Sequence, residues 1–533
     1  MTTPQTGFPF DRRTLLRLGS GATVVGAAFA AGIVTSLPAG ATQPHAMAPG
    51  VAGGSDSVRP VRQFRAIWIA SVVNIDWPSR TGLDAAAQRA EFEAWLDLAH
   101  ELNLNAVISQ VRPTADAFWP SPHEPWSRYL TGTQGGDPGY DVLGYQVEAA
   151  HARNLEYHAW FNPYRVSMQA DGLDLLPSHP AKQHPDWVWA YGGKLYYDPG
   201  IPEVRRFVQD AMLDAVRRYD IDAVHFDDYF YPYPVGTQVY PDAHTYATYG
   251  GGVPIGDWRR DNINALVREM RERIQQVKPW VKFGISPFGI WRNRSSDPRG
   301  SQTGGTESYS AISADSWTWV KQGWVDYINP QVYWQIGLTV ADYAVLVPWW
   351  SSVVAGTDVA LYIGQAVYKH TSGVFTNPRE LADHLEFNKA HPEVDGDVFF
   401  SAKDVRTDAG DAMSIMVAEH YQSPAIVPVI EHMGGRAPQA PVGVSTGTAS
   451  GGVQVRWNNL PHSNATSFAV WRVSGSNFSA TELEDARNLV TTLRAVPGVR
   501  QQVVVEGGGG QWFVVTAYDR LWHQSPPSRA VRG

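Results

Sequence analysis

The sequence predicts an α/β protein, a (β/α)8 TIM barrel with a C-terminal β-sandwich domain. Eight apolar segments with strand composition alternate with amphipathic helical segments between residues 63 and 423. Polar side chains follow nearly every one of these segments, as they do at the carboxyl ends of barrel strands. A doubly wound open sheet is the alternative, but no glycine-rich phosphate loop follows the first strand.

The first 41 residues are typical of a twin-arginine export signal. Arg12-Arg13 precedes an apolar run from Gly21 to Leu37, and Ala39-Gly40-Ala41 provides a small-residue cleavage site. The run is short for a membrane span, so we expect a secreted or cell-envelope protein without a membrane anchor after cleavage. Residues 42–62, rich in Gly, Ala, Pro and Ser, are expected to form a disordered linker.

The barrel strands are predicted at residues 64–71, 105–111, 155–161, 221–226, 281–286, 325–328, 360–365 and 397–400. The helices between them carry apolar residues three or four positions apart. The clearest stripe lies before the fourth strand, at Val204, Phe207, Val208, Ala211, Met212 and Ala215.

Composition favours a carbohydrate ligand over a nucleic acid. Aromatic residues make up 12% of the chain, with 21 Trp and 23 Tyr, and aromatic ring faces commonly stack on sugars. A net charge of -9 disfavours a polyanionic partner. The chain has no Cys, which excludes disulfides and thiolate sites, and we expect no cofactor.

The segment from His225 to Pro232 carries the strongest functional signal. It places two adjacent carboxylates, Asp227 and Asp228, at the end of the fourth predicted strand. Because side chains alternate along a strand, His225, Asp227 and Tyr229 are expected to face one cavity. The alternative is that one carboxylate caps a turn and the other is solvated.

Other polar and aromatic side chains follow the remaining strands and are expected to line the same cleft. Each has an ordinary structural explanation by itself, such as an arginine that pairs with a core carboxylate. Together they describe a cleft with amides, aromatic rings and few charges. The residues predicted to bind substrate are Arg112, Asp116, Asn162, Tyr164, Arg165, Tyr229, Trp291, Asn293, Glu307, Asn329, Gln331, Tyr333, Trp334 and Tyr368.

Metal and serine chemistry are disfavoured. His225 and Asp227 are two residues apart on one strand, and no His-x-x-x-His motif or second carboxylate cluster supports a metal site. No Gly-x-Ser-x-Gly elbow is present, so the sequence does not support serine-based acyl transfer.

Residues 438–533 are predicted to form a β-sandwich, because short alternating segments are separated by Gly, Asn and Ser turns. The placement of Trp457, the 468–472 strand, the 513–518 strand and Ser525-Pro526-Pro527-Ser528 resembles a fibronectin type III domain. The preceding linker, residues 424–437, is rich in Pro and Gly and suggests that the two parts fold separately. A chain that ends near Gly435 is therefore expected to fold and to keep its activity on soluble oligosaccharides.

Six motifs, in order along the barrel, carry a family resemblance. They are Phe64-Arg65-Ala66-Ile67-Trp68, Gln110-Val111-Arg112-Pro113, Ala159-Trp160-Phe161-Asn162-Pro163-Tyr164-Arg165, the 225–232 segment, Ser286-Pro287-Phe288-Gly289-Ile290-Trp291-Arg292 and Asp326-Tyr327-Ile328-Asn329-Pro330-Gln331-Val332-Tyr333-Trp334. From about residue 63 to 421 the chain resembles the glycosyl hydrolase-like 10 family. The resemblance implies a (β/α)8 glycosidase, and members of that family have been linked to cleavage of peptidoglycan strands that lack stem peptides.

Glycosidic cleavage needs a general acid beside the leaving oxygen and a second group that stabilises the oxocarbenium-like state. Asp227 and Asp228 are assigned to these roles without a decision between them, and Glu307 and Asp116 are reserve candidates for the second carboxylate. The alternative is a noncatalytic glycan-binding wall protein that uses the same cleft. The oligomeric state stays open.

Overall fold

The computed structural model describes residues 59–506 and 509–533. The predicted export signal and most of the predicted 42–62 linker lie outside these residues. Within the described ranges, no helix is long and apolar enough to cross a membrane.

Eight parallel strands close into a barrel and confirm the predicted (β/α)8 architecture. The strands up to residue 400 are β1 (Phe64–Ile69), β2 (Ala106–Arg112), β3 (Glu156–Phe161), β4 (Arg165–Ser167), β5 (Val188–Tyr191), β6 (Lys194–Tyr197), β7 (Ala223–Phe226), β8 (Lys282–Ile285), β9 (Tyr327–Ile328), β10 (Ala360–Ala366) and β11 (Val394–Phe400). β4, β5 and β6 form a small antiparallel sheet that the sequence did not predict. The other eight follow the chain order around the barrel, and β11 pairs with β1 to close it.

Helices lie around the barrel and in the loops between its strands. They are α1 (Ala85–Glu101), α2 (Arg128–Thr131), α3 (Val142–Ala152), α4 (Pro180–Gln183), α5 (Pro202–Arg218), α6 (Ala243–Tyr249), α7 (Ile255–Val277), α8 (Ser308–Ala311), α9 (Ser316–Lys321), α10 (Tyr343–Val354), α11 (Tyr368–Thr371), α12 (Glu380–Asn388), α13 (Ala402–Thr407) and α14 (Ala412–His420). The predicted apolar stripe lies on α5, where Val204, Val208 and Met212 are fully buried. The apolar faces of the helices and the outward faces of the strands share one core.

The inside of the barrel carries a chain of hydrogen bonds along its axis. At the amino-terminal end, Glu156 binds Lys282 and lies 2.9 Å, Oε2 to Nε2, from His158. The hydroxyl of Tyr327 lies 2.9 Å from Nδ1 of both His158 and His225. These groups are buried, so the polar atoms along the axis depend on one another for hydrogen bonds.

The groups at the two ends of this series of hydrogen bonds, Trp68 and Glu156, determine which atoms carry the protons. The indole of Trp68 can only donate, and it lies 3.3 Å from Nε2 of His225, so that nitrogen accepts. His225 then donates through Nδ1 to Tyr327, Tyr327 donates to His158, and His158 donates through Nε2 to Glu156. Both imidazoles are neutral in this arrangement, and burial lowers the pKa of His158 and of His225 in agreement with it.

The C-terminal residues form two antiparallel sheets. Strands β12 (Val442–Ala449), β13 (Gly452–Asn458) and β16 (Arg500–Val505) form one, and β14 (Ser467–Val473), β15 (Leu489–Arg494), β17 (Trp512–Tyr518) and β18 (Val531–Arg532) form the other. Side chains from both sheets share one apolar cluster, which includes Trp457 and Phe468. The resemblance to a fibronectin type III domain stays a prediction.

The C-terminal sheets pack on the amino-terminal end of the barrel, which differs from the expectation that the two parts fold separately. Trp522 donates from Nε1 to Oε1 of Glu156 over 2.7 Å, and Ser467 donates to Oδ1 of Asn154 over 2.7 Å. Residues of the predicted 424–437 linker take part in the same apolar cluster as the barrel interior; they are Ile426, Val427 and Ile430. From residue 59 onward, the chain forms one compact unit.

Candidate active site

The paired carboxylates lie just after the carboxyl end of β7. Asp227 is 4% exposed and Asp228 is 6% exposed. Asp227 follows the inward phase of His225, as strand alternation predicts, and Asp228 comes one residue later, where the chain leaves the strand. Two buried carboxyl groups therefore stand side by side on one strand end.

Three N–H donors bind Asp227. Trp160 donates from Nε1 to Oδ2 over 3.0 Å, and Asn162 donates from Nδ2 to both carboxylate oxygens over 3.0 and 3.1 Å. The main-chain N–H of Tyr229 donates to Oδ1 over 3.2 Å. Burial raises the pKa of Asp227 to about 6; the charge of Arg165 opposes this shift, and the charge of Asp228 adds to it. Asp227 is thus held as an anion at neutral pH.

Asp228 has a different set of partners. Tyr233 donates its hydroxyl to Oδ2 of Asp228, and Gln331 binds the same carboxyl group. Gln331 is itself fixed, because its Nε2 donates to the carbonyl of Ser286 over 3.0 Å. Burial raises the pKa of Asp228, and the hydrogen bonds from Tyr233 and Gln331 oppose that shift. A carboxyl group with a raised pKa is suited to exchange a proton with a substrate.

Arg165 and Tyr229 form one side of the site. The guanidinium of Arg165 lies 5.2 Å from the centre of the Tyr229 ring, and its Nε donates to the carbonyl of Pro113 over 3.0 Å. The main-chain N–H of Arg165 also donates to Oδ1 of Asn162 over 2.8 Å. The turn after β3 therefore places a positive charge next to Asp227.

Aromatic rings form the opposite side. The ring centre of Tyr333 lies 5.9 Å from that of Tyr368 and 6.2 Å from that of Phe400. Burial raises the pKa of both tyrosines, and the negative charge of Asp228 contributes to each shift. Both hydroxyls therefore stay protonated near Asp228, where they can donate hydrogen bonds to a sugar.

Two predicted binding residues hold loops instead. Arg112 is fully buried, and its Nε donates to Oε2 of Glu124 over 2.6 Å while Nη1 donates to the carbonyl of Pro163 over 3.1 Å. Asp116 is also fully buried and accepts from the main-chain N–H and the hydroxyl of Thr114, each over 3.1 Å. The prediction that these side chains face the cleft is corrected, because their polar atoms are used inside the fold.

Three predicted aromatic residues pack in the core. Tyr164 is fully buried in the layer between the barrel and its helices. Trp291 stacks between Trp317 and Trp349, with ring centres 5.7 and 6.1 Å away. Trp334 is 5% exposed and belongs to the same core. All three side chains are buried, which differs from the prediction that they line the cleft.

Asn293 and Glu307 bind each other in the loop after β8. The main-chain N–H and the Nδ2 of Asn293 donate to Oε1 of Glu307 over 2.9 and 3.0 Å. Burial would raise the pKa of Glu307, but hydrogen bonds from Ser296 and Asn293 outweigh it and lower that pKa. An ionised carboxylate tied into its own loop is a poor second catalytic group, so this reserve candidate is not supported.

Asn329 follows β9 and is fully buried. Among the residues that the structure describes, no partner is found for its Oδ1 or its Nδ2. Because buried amides normally form hydrogen bonds, we expect water or substrate to bind this side chain.

The structure adds residues that the sequence prediction did not include. Trp160 shares the inward phase of Asn162 on β3, so strand alternation contained the signal that would have found it. Phe400, the last residue of β11, shares the phase of the inward Val398, so the same signal was present there, whereas Tyr233 stands in an irregular loop where no alternation applies. Over the described ranges, no cluster of three or more His, Asp or Glu could hold a metal ion.

Comparisons with known proteins identify a family and several relatives. The model of the glycosyl hydrolase-like 10 family matches residues 63–379. The glycosyl hydrolase YngK of Bacillus subtilis strain 168 is 42% identical over 483 residues, which cover 88% of this chain and 93% of that protein. The glycosyl hydrolase DigH of Escherichia coli strain K12 is 39% identical over 387 residues, which cover 67% of this chain and 88% of that protein.

Among solved structures, the glycoside hydrolase domain of PgaB (BpsB) from Bordetella bronchiseptica is similar with a TM-score of 0.44 and 11% identity. The match covers 67% of this chain and 99% of that chain. A similarity this distant carries no argument about function.

Proposed function

This chain belongs to the glycosyl hydrolase-like 10 family, and from that premise we propose that it is an exported glycoside hydrolase that cleaves a cell-wall glycan. Peptidoglycan strands that lack stem peptides are the proposed substrate. The observation that carries the proposal is the pair of buried carboxyl groups, Asp227 and Asp228, between an arginine and a group of aromatic rings. Export rests on the twin-arginine pattern of the first 41 residues.

The hydrogen bonds distinguish the two carboxyl groups. Three N–H donors and the nearby Arg165 favour the ionised form of Asp227, so it serves as the anion that stabilises positive charge at the sugar. Burial raises the pKa of Asp228, and its partner Tyr233 is a hydroxyl, which can accept from a protonated carboxyl group as well as donate to an ionised one, so Asp228 serves as the general acid. Adjacent carboxyl groups in different surroundings can divide acid and anion roles in this way.

In the proposed reaction, Asp228 donates its proton to the glycosidic oxygen as the bond to C1 breaks. Asp227 stabilises the oxocarbenium-like state that develops. Asp228 then accepts a proton from the attacking water and returns to its acidic form. Tyr229, Tyr333 and Tyr368 hold the sugar rings on either side.

The test is the release of new reducing ends from purified wall glycan, with and without stem peptides. We expect Asp228→Asn to lower kcat by about 10²- to 10⁴-fold, the usual contribution of a positioned general acid. An activated aryl leaving group should restore part of this loss, because it needs no proton. Asp227→Asn should lower kcat with both kinds of substrate.

Glu307→Gln is the matched control, because this carboxylate binds its own loop, and turnover should stay close to that of the wild type. Wild-type turnover in both Asp227→Asn and Asp228→Asn would refute the assignment. Binding of several wall glycans without any reducing ends would instead favour the noncatalytic glycan-binding protein.

A further inference from the structure

Both catalytic carboxyl groups come from the end of a single strand, β7. The usual mechanisms place two carboxyl groups on either side of the scissile bond, one as acid and the other as nucleophile or base. Here Asp227 and Asp228 are neighbours in the chain, so their Cα atoms are about 3.8 Å apart and both carboxyl groups belong to the same strand end. The opposite side of the site is formed by Tyr333, Tyr368 and Phe400.

Other carboxylates at this end of the barrel are occupied. Asp76 accepts from the main-chain N–H of Ala70 and the hydroxyl of Ser401, each over 2.7 Å. Asp404 accepts from the same hydroxyl over 3.2 Å, in the first turn of α13. Asp116, Glu124 and Glu307 are bound to Thr114, Arg112 and Asn293, respectively. None of these described carboxylates is placed to attack the sugar from across the cleft.

Asp227 is also unsuited to act as the nucleophile. Its two oxygens already accept from Trp160, Asn162 and the main-chain N–H of Tyr229, and a carboxylate offers about four acceptor positions. Asn162 shares one Nδ2 between both oxygens, so when it donates to Oδ1 alone, Oδ2 can accept a single hydrogen bond from a substrate N–H. A covalent bond to C1 would require this anchored group to leave its donors.

Resting on the proposed function, we propose that the nucleophile is supplied by the substrate itself, through the carbonyl oxygen of a 2-acetamido group on the sugar that is cleaved. Asp227 accepts the acetamide N–H and so aims the carbonyl at C1. The phenol hydroxyls of Tyr333 and Tyr368 lie near Asp228 on the other side and orient the sugar. The substrate class is therefore a glycan with a 2-acetamido sugar on the nonreducing side of the scissile bond.

The steps balance as a hydrolysis. The acetamide oxygen forms a bond to C1 while the bond from C1 to the leaving oxygen breaks, and Asp228 gives its proton to that oxygen. The product is a bicyclic oxazolinium whose positive charge lies next to ionised Asp227. Water then adds to C1, Asp228 accepts its proton, and the bond from C1 to the acetamide oxygen breaks. One water is consumed, C1 is inverted twice, and the configuration is retained.

The first experiment uses one wall glycan in three forms: native, chemically de-N-acetylated, and de-N-acetylated then re-N-acetylated. We expect the wild-type protein to cleave the de-N-acetylated form at least about 100-fold more slowly, since a well-placed intramolecular nucleophile contributes at least that much. Re-N-acetylation should restore the rate. Equal rates on all three forms would overturn the proposal while leaving the proposed function intact.

The second experiment follows stereochemistry and inhibition. NMR of the first product should show retained configuration, and a thiazoline analogue of the oxazolinium should bind and inhibit competitively. Asp227→Asn should bind the thiazoline more weakly, a readout that does not depend on turnover, whereas the control Glu307→Gln should bind it as the wild type does. Inversion, or the absence of thiazoline binding, would refute substrate assistance. Failure to cleave any glycan form would refute the proposed function and this inference with it.

Discussion

Asp227 shows how burial and hydrogen bonding act in opposite directions on one carboxyl group. Its position inside the barrel opening raises its pKa to about 6, while Arg165 and the N–H donors of Asn162 and Trp160 favour the ionised form. The balance leaves the group ionised at neutral pH but sensitive to small changes around it.

This balance predicts a pH dependence. Asp227 must be ionised to act, so kcat/KM should fall as pH decreases through about 6. Asn162→Ala removes donors to the charged form, so the pKa of Asp227 should rise and the acidic limb should move to higher pH. The measurement is a pH–rate profile on a soluble oligosaccharide for both proteins. An acidic limb that stays in place or moves to lower pH would contradict the electrostatic role of Asn162.

Asp397 provides a stability test away from the site. It lies on β11 and accepts through Oδ1 from Gln365 and Asn388 over 2.8 and 3.0 Å, and burial raises its pKa to about 7. The folded state keeps this proton while the unfolded state loses it near pH 4, so the stabilising contribution is lost as pH rises from about 4 to about 7.

Asp397→Asn keeps the accepting oxygen and removes the titration. Relative to the wild type, the free energy of unfolding of this variant should therefore increase between pH 4 and pH 8, by a few kcal/mol and at most about 4. Urea unfolding at several pH values measures it, and Asp186→Asn, at an exposed position, is the control. A difference that is independent of pH would contradict the prediction.

At the scale of elements, the turn after β3 depends on a buried ion pair. Arg112, at the end of β2, joins Glu124 to the carbonyl of Pro163, and the side chains of both charged residues are fully buried. The pair thus fixes the segment that carries Asn162 and Arg165 into the site.

Arg112→Met should lower the free energy of unfolding by about 3–5 kcal/mol, because it leaves Glu124 as a buried, unpaired charge. The double variant Arg112→Met with Glu124→Leu should recover most of that loss, since no charge remains buried. Urea unfolding of the three proteins is the measurement. A double variant no more stable than the single one would show that the guanidinium supports the turn by its hydrogen bonds to carbonyls instead.

The period of a strand predicts side-chain direction only while the strand lasts. Alternation along β3 places His158 and Trp160 toward the axis and still holds for Asn162, the first residue after the strand, but it fails for Tyr164, which follows Pro163. The same limit explains Trp291, because it lies in the loop after β8, where no period fixes its direction. Sequence motifs identified which loops matter, and they could not separate residues that face the cleft from residues that support it.

At the scale of the whole molecule, the C-terminal sheets cover the amino-terminal end of the barrel. Trp522 donates to Glu156, which also binds Lys282 and His158 at the start of the axial hydrogen-bond chain. We therefore expect a chain that ends at Gly435 to be insoluble or much less stable, because apolar and charged groups of the barrel would meet water. This prediction is the opposite of the expectation from the sequence, and the solubility and activity of the truncated chain decide between the two.

Trp522→Phe tests the same contact without removing a domain. It removes one hydrogen bond to a charged group, so the free energy of unfolding should fall by about 1.5–3 kcal/mol. Trp512→Phe is the matched control, because the indole N–H of Trp512 has no partner among the described residues and its loss should cost little. Equal effects of the two substitutions in thermal unfolding would contradict the role of Trp522.

The sequence by itself determined the barrel, the order of its strands, the carboxylate pair and the family. These depend on local patterns, namely alternation along strands, helical stripes and short motifs, which a chain carries wherever it folds. Only the tertiary structure decided that Arg112, Asp116 and Glu307 form hydrogen bonds within loops. It also decided that Trp160 and Tyr233 donate to the carboxyl groups of the site, and that Trp522 covers the amino-terminal end of the barrel. Each of these depends on contacts in the folded protein that no local pattern encodes. Burial determines both the pKa of a group and its hydrogen-bond partners, and a group becomes buried only when the chain has folded.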